Sequence, residues 1–178
     1  MPKPKPKPKP APTTAAQQPN CVSVGPPHVP ELYGIKPRKQ YLPWNHAEER
    51  LARSRNYWIC TARPDGRPHS IPVWGFWIDS ALFFGTARSS RKARNLAHNT
   101  AVSVHLESGD DVVILEGTAT EVSDPATLKK IDGASQTKYK MPLTILSGET
   151  VLYCVRPRVA LAWTEKDFPK TATRWEFK

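Results

Sequence analysis

A chain of 178 residues, 39% hydrophobic and 24% charged, has room for one domain of ordinary size and a packed core. Two full domains and disorder throughout are both excluded. The formal net charge of +10 is unevenly placed: residues 1–43 hold seven Lys/Arg against one acid, Glu31, and residues 44–178 hold nineteen against fifteen. The body is therefore only mildly basic, and the charge does not argue for nucleic-acid binding. Cys21, Cys60 and Cys154 are odd in number and form no CxxC pair. That excludes a disulfide framework, argues against zinc and fits a reducing compartment. No apolar run approaches the ~18 residues of a membrane span, and the N-terminus lacks the apolar segment of a secretory signal, so a cytoplasmic protein without membrane attachment is expected.

Residues 2–10 read PKPKPKPKP, and twelve of the nineteen prolines precede Trp44. Proline fixes φ and removes amide donors while the lysines repel, so residues 1–43 are expected to be a disordered Pro/Lys-rich leader. The body, 44–178, opens with a helix in which Asn45 and Glu48 have capping-box spacing. Tyr57 to Ala62 reads as a strand, Pro64-Asp65-Gly66-Arg67 as a turn, His69 to Ile78 as a second strand and Ala81 to Thr86 as a third. A short helix follows from Ser89 to about His98. Ala101 to Leu106 alternates as a half-buried strand, and Asp111 to Val122 is a long one with Gly117 as a bulge or close-approach point. Asp124-Pro125 starts a helix that Gly133 is expected to stop. Val151 to Arg156, Val159 to Thr164 and Thr173 to Phe177 complete the strands. This predicts a mainly β, antiparallel barrel of six to eight strands with short connecting helices, bent at Gly75 and Gly117. No GxGxxG or Walker loop is present.

The strand-to-helix junction at 86–95 is the candidate site. Ser89, Ser90, Arg91 and Lys92 stand at a helix start, where free amides carry partial positive charge. Hydroxyls, a guanidinium and an ammonium there suit a phosphate. Two cations in a first helical turn oppose the macrodipole unless an anion offsets them. The alternative is a solvated basic face.

Thr86, Ser90-Arg91-Lys92 and Asn99 after strand 81–86 resemble the "YTNYxSRKxxxLxxNP" motif of the pyridoxamine 5'-phosphate oxidase-like flavin-binding split barrels. Pro68 to Trp74 resembles their preceding strand, Val113 to Ala119 their "vveGtA" strand, and Thr173-Arg174-Trp175 with Phe177 their "TRWxF" ending. Lys92 to Leu96 resembles the "KxRNL" of related reductases that use the deazaflavin coenzyme F420. The resemblance implies a split-barrel homodimer with FMN, or alternatively coenzyme F420, in a shared cleft. Arg91 and Lys92 would hold the phosphate, with Ser90 and Thr86 near it. Ile71, Pro72, Val73 and Trp74 would lie along the ring system, and Trp163, Arg174 and Trp175 would reach the partner's site. Ala87-Arg88 and Asn99-Thr100 depart from the oxidase motif and argue against a vitamin B6 oxidase.

The activity implied is hydride transfer between bound cofactor and a small planar substrate, which needs little acid–base machinery from the protein. Accordingly, no catalytic constellation stands out. His28, His46, His69, His98 and His105 have no metal spacing, and His69 reads either as a proton donor beside the cofactor or as a hydrogen-bonded barrel histidine. A flavin-binding module without turnover is a second class. A nucleic-acid-binding barrel is a third, disfavoured for want of an RNP-type motif.

Overall fold

The computed structural model describes residues 20–143 and 149–178; the PKPKP run lies outside the described residues. Nine strands form a single sheet in which every pairing is antiparallel. They are β1 (Cys21–Gly25), β2 (Asn56–Ala62), β3 (Pro68–Trp74), β4 (Phe76–Ile78), β5 (Ala81–Ala87), β6 (Ala101–His105), β7 (Asp111–Glu121), β8 (Thr150–Thr164) and β9 (Thr173–Phe177). The main path runs β1-β9-β8-β7-β6-β2-β3, with β5 joining β8 and β4 joining β5. Among the described residues no ladder joins β3 to β4 or β5, so the sheet curls without closing. The fold is a mainly antiparallel split barrel with nine strands among the described residues, where six to eight were expected.

Strand β8 explains the shape. It pairs β7 along Tyr153–Thr164, but β5 along Thr150–Val155 and β9 along Val159–Ala162. The switch falls at a bulge, where Glu116 faces Val159 and Gly117 faces Pro157. A Cβ on Gly117 would lie 2.1 Å from the Arg156 carbonyl oxygen, so only glycine fits there. The two segments expected at 151–156 and 159–164 are thus one bent strand, and Pro157, which has no amide to give a ladder, sits at the bend. Gly75 divides β3 from β4, because a Cβ there would meet Tyr57 Cδ2 at 2.9 Å and the Phe83 carbonyl oxygen at 3.0 Å.

The alternating residues of β2 turn Tyr57, Ile59 and Thr61 inward. With Leu82, Phe84, Val104, Leu115 and Val155 they fill the barrel. Helix α1 (Trp44–Arg53) plugs one end through Trp44, Ala47 and Leu51. A second apolar cluster, including Phe76, Phe83, Leu152 and Cys154, lies outside the barrel under α3 (Pro125–Tyr139). Full burial of each large side chain contributes roughly 1.5–3 kcal/mol.

Three expectations are corrected. The leader is not disordered to residue 43: β1 pairs β9, Arg38 donates to the carbonyls of Pro169 (3.0 Å) and Ala172 (2.6 Å), and the Leu42 amide donates to Thr173 Oγ1 (3.0 Å). Without β1, the outer edge of β9 would be unpaired. The α1 capping box does not form. Pro43 is the N-cap residue, with no side-chain cap, and the helix starts two residues early because Trp44 packs on Trp175 and Phe177 at ring distances of 5.5 and 5.0 Å. Finally, α3 passes through exposed Gly133 to Tyr139. Its buried residues Ile131, Ser135 and Tyr139 recur at spacing four, and that burial outweighs the roughly 1 kcal/mol cost of a helical glycine.

Candidate cofactor site

Strand β5 runs outward from the core and delivers Thr86 and Ala87 to the surface just before α2 (Arg91–His98). Ser90 is the N-cap; its Oγ accepts from the Ala93 amide at 3.2 Å and from Thr86 Oγ1 at 3.0 Å. The Arg94 amide bonds to the Ser90 carbonyl. The amides of Arg91 and Lys92 have no acceptor among the described residues, and no acid stands in the first turn. Free donors at a helix N-terminus therefore coincide with two cations.

Lys92 is only 9% exposed and makes no ion pair among the described residues. Burial lowers its pKa from the ordinary lysine value. One turn on, fully buried Asn95 donates from Nδ2 to Thr61 Oγ1 at 2.9 Å, while its Oδ1 has no partner among the described residues. This bond ties α2 to the end of β2. Across the ladder from Thr61 stands His69, half-buried on β3. Its pKa is lowered by loss of solvent and then by the charges of Lys92, Arg63 and Arg91. Arg63 has a buried Nε without a hydrogen-bond partner among the described residues. A cluster of cations with orphaned donors and, among the described residues, no counter-ion fits a phosphate. The neighbouring Arg88 is engaged, pairing with Glu121 at 3.1 Å.

On β3, Ile71 and Val73 turn toward the barrel, while Pro72 and Trp74 face outward. Trp74 is 43% exposed and stacks on Tyr139, with centroids 4.6 Å apart and planes 5° apart. The Arg55 guanidinium lies 5.4 Å from both ring centroids. Behind this stack the Tyr139 hydroxyl donates to the Arg55 carbonyl (2.6 Å) and accepts from the Gly75 amide (2.9 Å). Lys138 Nζ donates to the Gly75 carbonyl at 2.8 Å, and its pKa falls to about 8 through burial and the Arg55 charge. These bonds pin the β3–β4 bend. Trp74 and Thr86 share a cavity of about 240 Å³ with Phe76, Tyr139 and Leu143.

The structure thus brings Thr86, Ser90, Arg91 and Lys92 together and places Trp74 on the same cavity as Thr86. It does not bring in the C-terminal residues. Trp163 and Arg174 line a different cavity, of about 540 Å³, with His28, Tyr33 and Phe168. Arg174 is also bonded to Glu176. Trp175 is corrected: at 2% exposure it is a core residue packed on Trp44 and has no face to offer a partner's site. The sequence reading did not name Arg63, Tyr139, Lys138 or Arg55 as part of the site. Only the β2–β3 register and the extra turns of α3 bring them there. Among the described residues no His/Cys/Asp/Glu group could hold a metal ion, and no helix is long and apolar enough to cross a membrane.

The family described as pyridoxamine 5'-phosphate oxidase matches residues 44–163. The chain belongs to that family. No curated protein matches it. Among solved structures it is similar to a conserved hypothetical protein, Rv2991, from Mycobacterium tuberculosis. The identity is 26% and the TM-score 0.61, over 69% of this chain and 85% of that one. A protein named F420 Reductase is 26% identical at TM-score 0.51, over 64% of this chain and 94% of that one. General Stress Protein 26 from Bacillus anthracis, 24% identical at TM-score 0.56 over 66% of this chain and 91% of that one, shares the fold. The family match ends at Trp163, so the cavity of Arg174 and Phe168 lies partly outside it.

Proposed function

We propose that the chain is an oxidoreductase that holds the phosphate of a flavin-type cofactor at the start of α2 and its ring along β3. A small planar substrate would exchange hydride with that cofactor. Lys92 carries the reading: a buried cation without a counter-ion among the described residues stands beside free helix amides, in a chain of this family. Leaving such a charge unpaired is costly, and a bound phosphate relieves the cost. FMN is the first reading. Coenzyme F420 is the second, favoured by the KxRNL run at Lys92–Leu96 and by the likeness to F420 Reductase.

When bound, either cofactor supplies the hydride-transfer chemistry. The chain's part is binding, orientation and exclusion of water. Lys92, Arg91 and the α2 amides bind the phosphate, and the Thr86–Ser90 hydrogen bond fixes the turn that presents them. The Tyr139 and Lys138 bonds to Gly75 hold the end of β3, and with it Trp74, in one place. The outward face of β3 leaves Pro72 exposed and Trp74 43% exposed, with Tyr139 covering one side of its ring. A second copy seated there would make a homodimer with a shared cleft, which Trp163 and Arg174 of the partner would approach.

Fluorescence titration of cofactor-free protein with FMN, riboflavin and coenzyme F420 tests the reading. FMN should bind roughly ten- to a hundredfold more tightly than riboflavin, the worth of a charge-assisted phosphate contact. Equal affinities would overturn the phosphate site. Consumption of reduced cofactor with an electron acceptor distinguishes turnover from binding alone. Light scattering should give about twice the 19.9 kDa of one chain, and a monomer that binds cofactor fully would refute the shared cleft.

A further inference from the structure

We propose that Arg63, at the β2–β3 turn, is a third cationic ligand for the phosphate that Arg91 and Lys92 receive. This rests on the reading of α2 as the phosphate end of the site and adds a residue that the strand-to-helix motif does not contain.

The argument is one of register. Thr61 pairs with His69 and Ala62 with Pro68, and the Arg63 amide extends the ladder to the Arg67 carbonyl at 2.9 Å. Side chains alternate along a strand, so Arg63 leaves β2 on the same face as Thr61, two residues back. That face is the one α2 covers, since Asn95 Nδ2 bonds to Thr61 Oγ1 at 2.9 Å. On α2, Lys92 and Arg91 precede Asn95 by three and four residues and lie on its flank, one turn nearer the helix start. Arg63, His69, Arg91 and Lys92 thus converge from three elements.

Arg63 is not spent elsewhere. Its Nε is buried and has no hydrogen-bond partner, and no carboxylate pairs with it among the described residues. The acid nearest in sequence, Asp65, is taken by Arg67 at 2.6 Å. A guanidinium held with a buried, empty donor beside a buried, unpaired ammonium is arranged for an oxyanion that both can reach. Its planar fork donates two parallel hydrogen bonds to two oxygens of one phosphate, a fixed geometry that a lysine lacks. His69 stands across the ladder from Thr61, and loss of solvent together with the charges of Lys92, Arg63 and Arg91 lowers its pKa.

The test uses the full chain with Arg63→Ala and Arg63→Lys, and Arg67→Ala as the control on the same turn. Each is titrated with FMN or coenzyme F420, whichever the wild type binds, and with the matching phosphate-free flavin or deazaflavin. Arg63→Ala should weaken the phosphorylated cofactor about ten- to a hundredfold and the phosphate-free one by less than about twofold. Arg63→Lys should fall between wild type and Arg63→Ala, and Arg67→Ala should match wild type. If Lys92→Ala loses the cofactor while Arg63→Ala does not, the proposal is overturned and the function reading stands. If the wild type binds no flavin or deazaflavin, that reading fails, and inorganic pyrophosphate decides the cradle by itself. A rise in wild-type melting temperature that Arg63→Ala abolishes supports the cradle, and no rise in the wild type overturns it.

Discussion

Replacing Lys92 by methionine should move apoprotein stability and cofactor affinity in opposite directions. The side chain is 9% exposed, its ammonium has no acid partner among the described residues, and burial already lowers its pKa. Methionine keeps the length and apolar stem but removes the charge. In the cofactor-free protein this relieves an uncompensated charge, an effect on the order of 1 kcal/mol that raises Tm by about 2–4 °C in a domain of this size. In the bound state it removes a charge-assisted hydrogen bond worth roughly 1.5–3 kcal/mol, so FMN should bind about ten- to a hundredfold more weakly. Riboflavin affinity should stay within about twofold, since it lacks the phosphate. Calorimetry gives the first quantity and fluorescence titration the second. Arg53→Ala is the matched charge control, because Arg53 is exposed and its one ion pair among the described residues is with Glu49, whereas Arg55 lies over the Trp74 ring beside β3. If Lys92→Met lowers Tm and weakens riboflavin and FMN alike, the residue supports the fold and the electrostatic reasoning is refuted.

Three further outcomes follow from the fold and its charges. A chain beginning at Pro26 lacks the β1 ladder on β9 and should melt several degrees below one beginning at Asn20; equal melting would mean that the pairing of Val24 with Trp175 contributes nothing. Gly117→Ala forces a Cβ against the Arg156 carbonyl at the bulge and should cost about 3 kcal/mol in urea unfolding, whereas Gly133→Ala, on an exposed turn of α3, should be neutral or slightly stabilising. Lys138 titrates at about 8 when folded, below the ordinary lysine value, so the unfolded chain holds more protons between that pH and about 10.5. Stability contributed by this group therefore rises with pH through the window. Lys138→Met should flatten that rise in a series of melts, and an unchanged slope would count against the perturbed amine.

What the sequence by itself determined is local. The β5–α2 junction was legible because a strand's apolar run, the Ser90 cap and the two cations beside it are all encoded within about ten residues. Strand β9 was likewise readable from its alternation over Thr173–Phe177. The long-range features were not. Strand β1 is exposed on nearly all its positions, so it carries no burial pattern; its reason to exist is the edge of β9, some 150 residues away. Helix α3 outlasts Gly133 because a second apolar cluster outside the barrel takes in Ile131 and Tyr139, and that burial outweighs the local stop signal. Trp74 and Trp175 are the same residue type on similar strands, yet one is 43% exposed and the other 2%. Strand parity and register decide which face each one takes, and only the assembled sheet sets them. The meeting of Arg63, His69 and Lys92 has the same origin: a hairpin register and one hydrogen bond, Asn95 to Thr61, bring together residues that in the sequence show only as scattered positive charges.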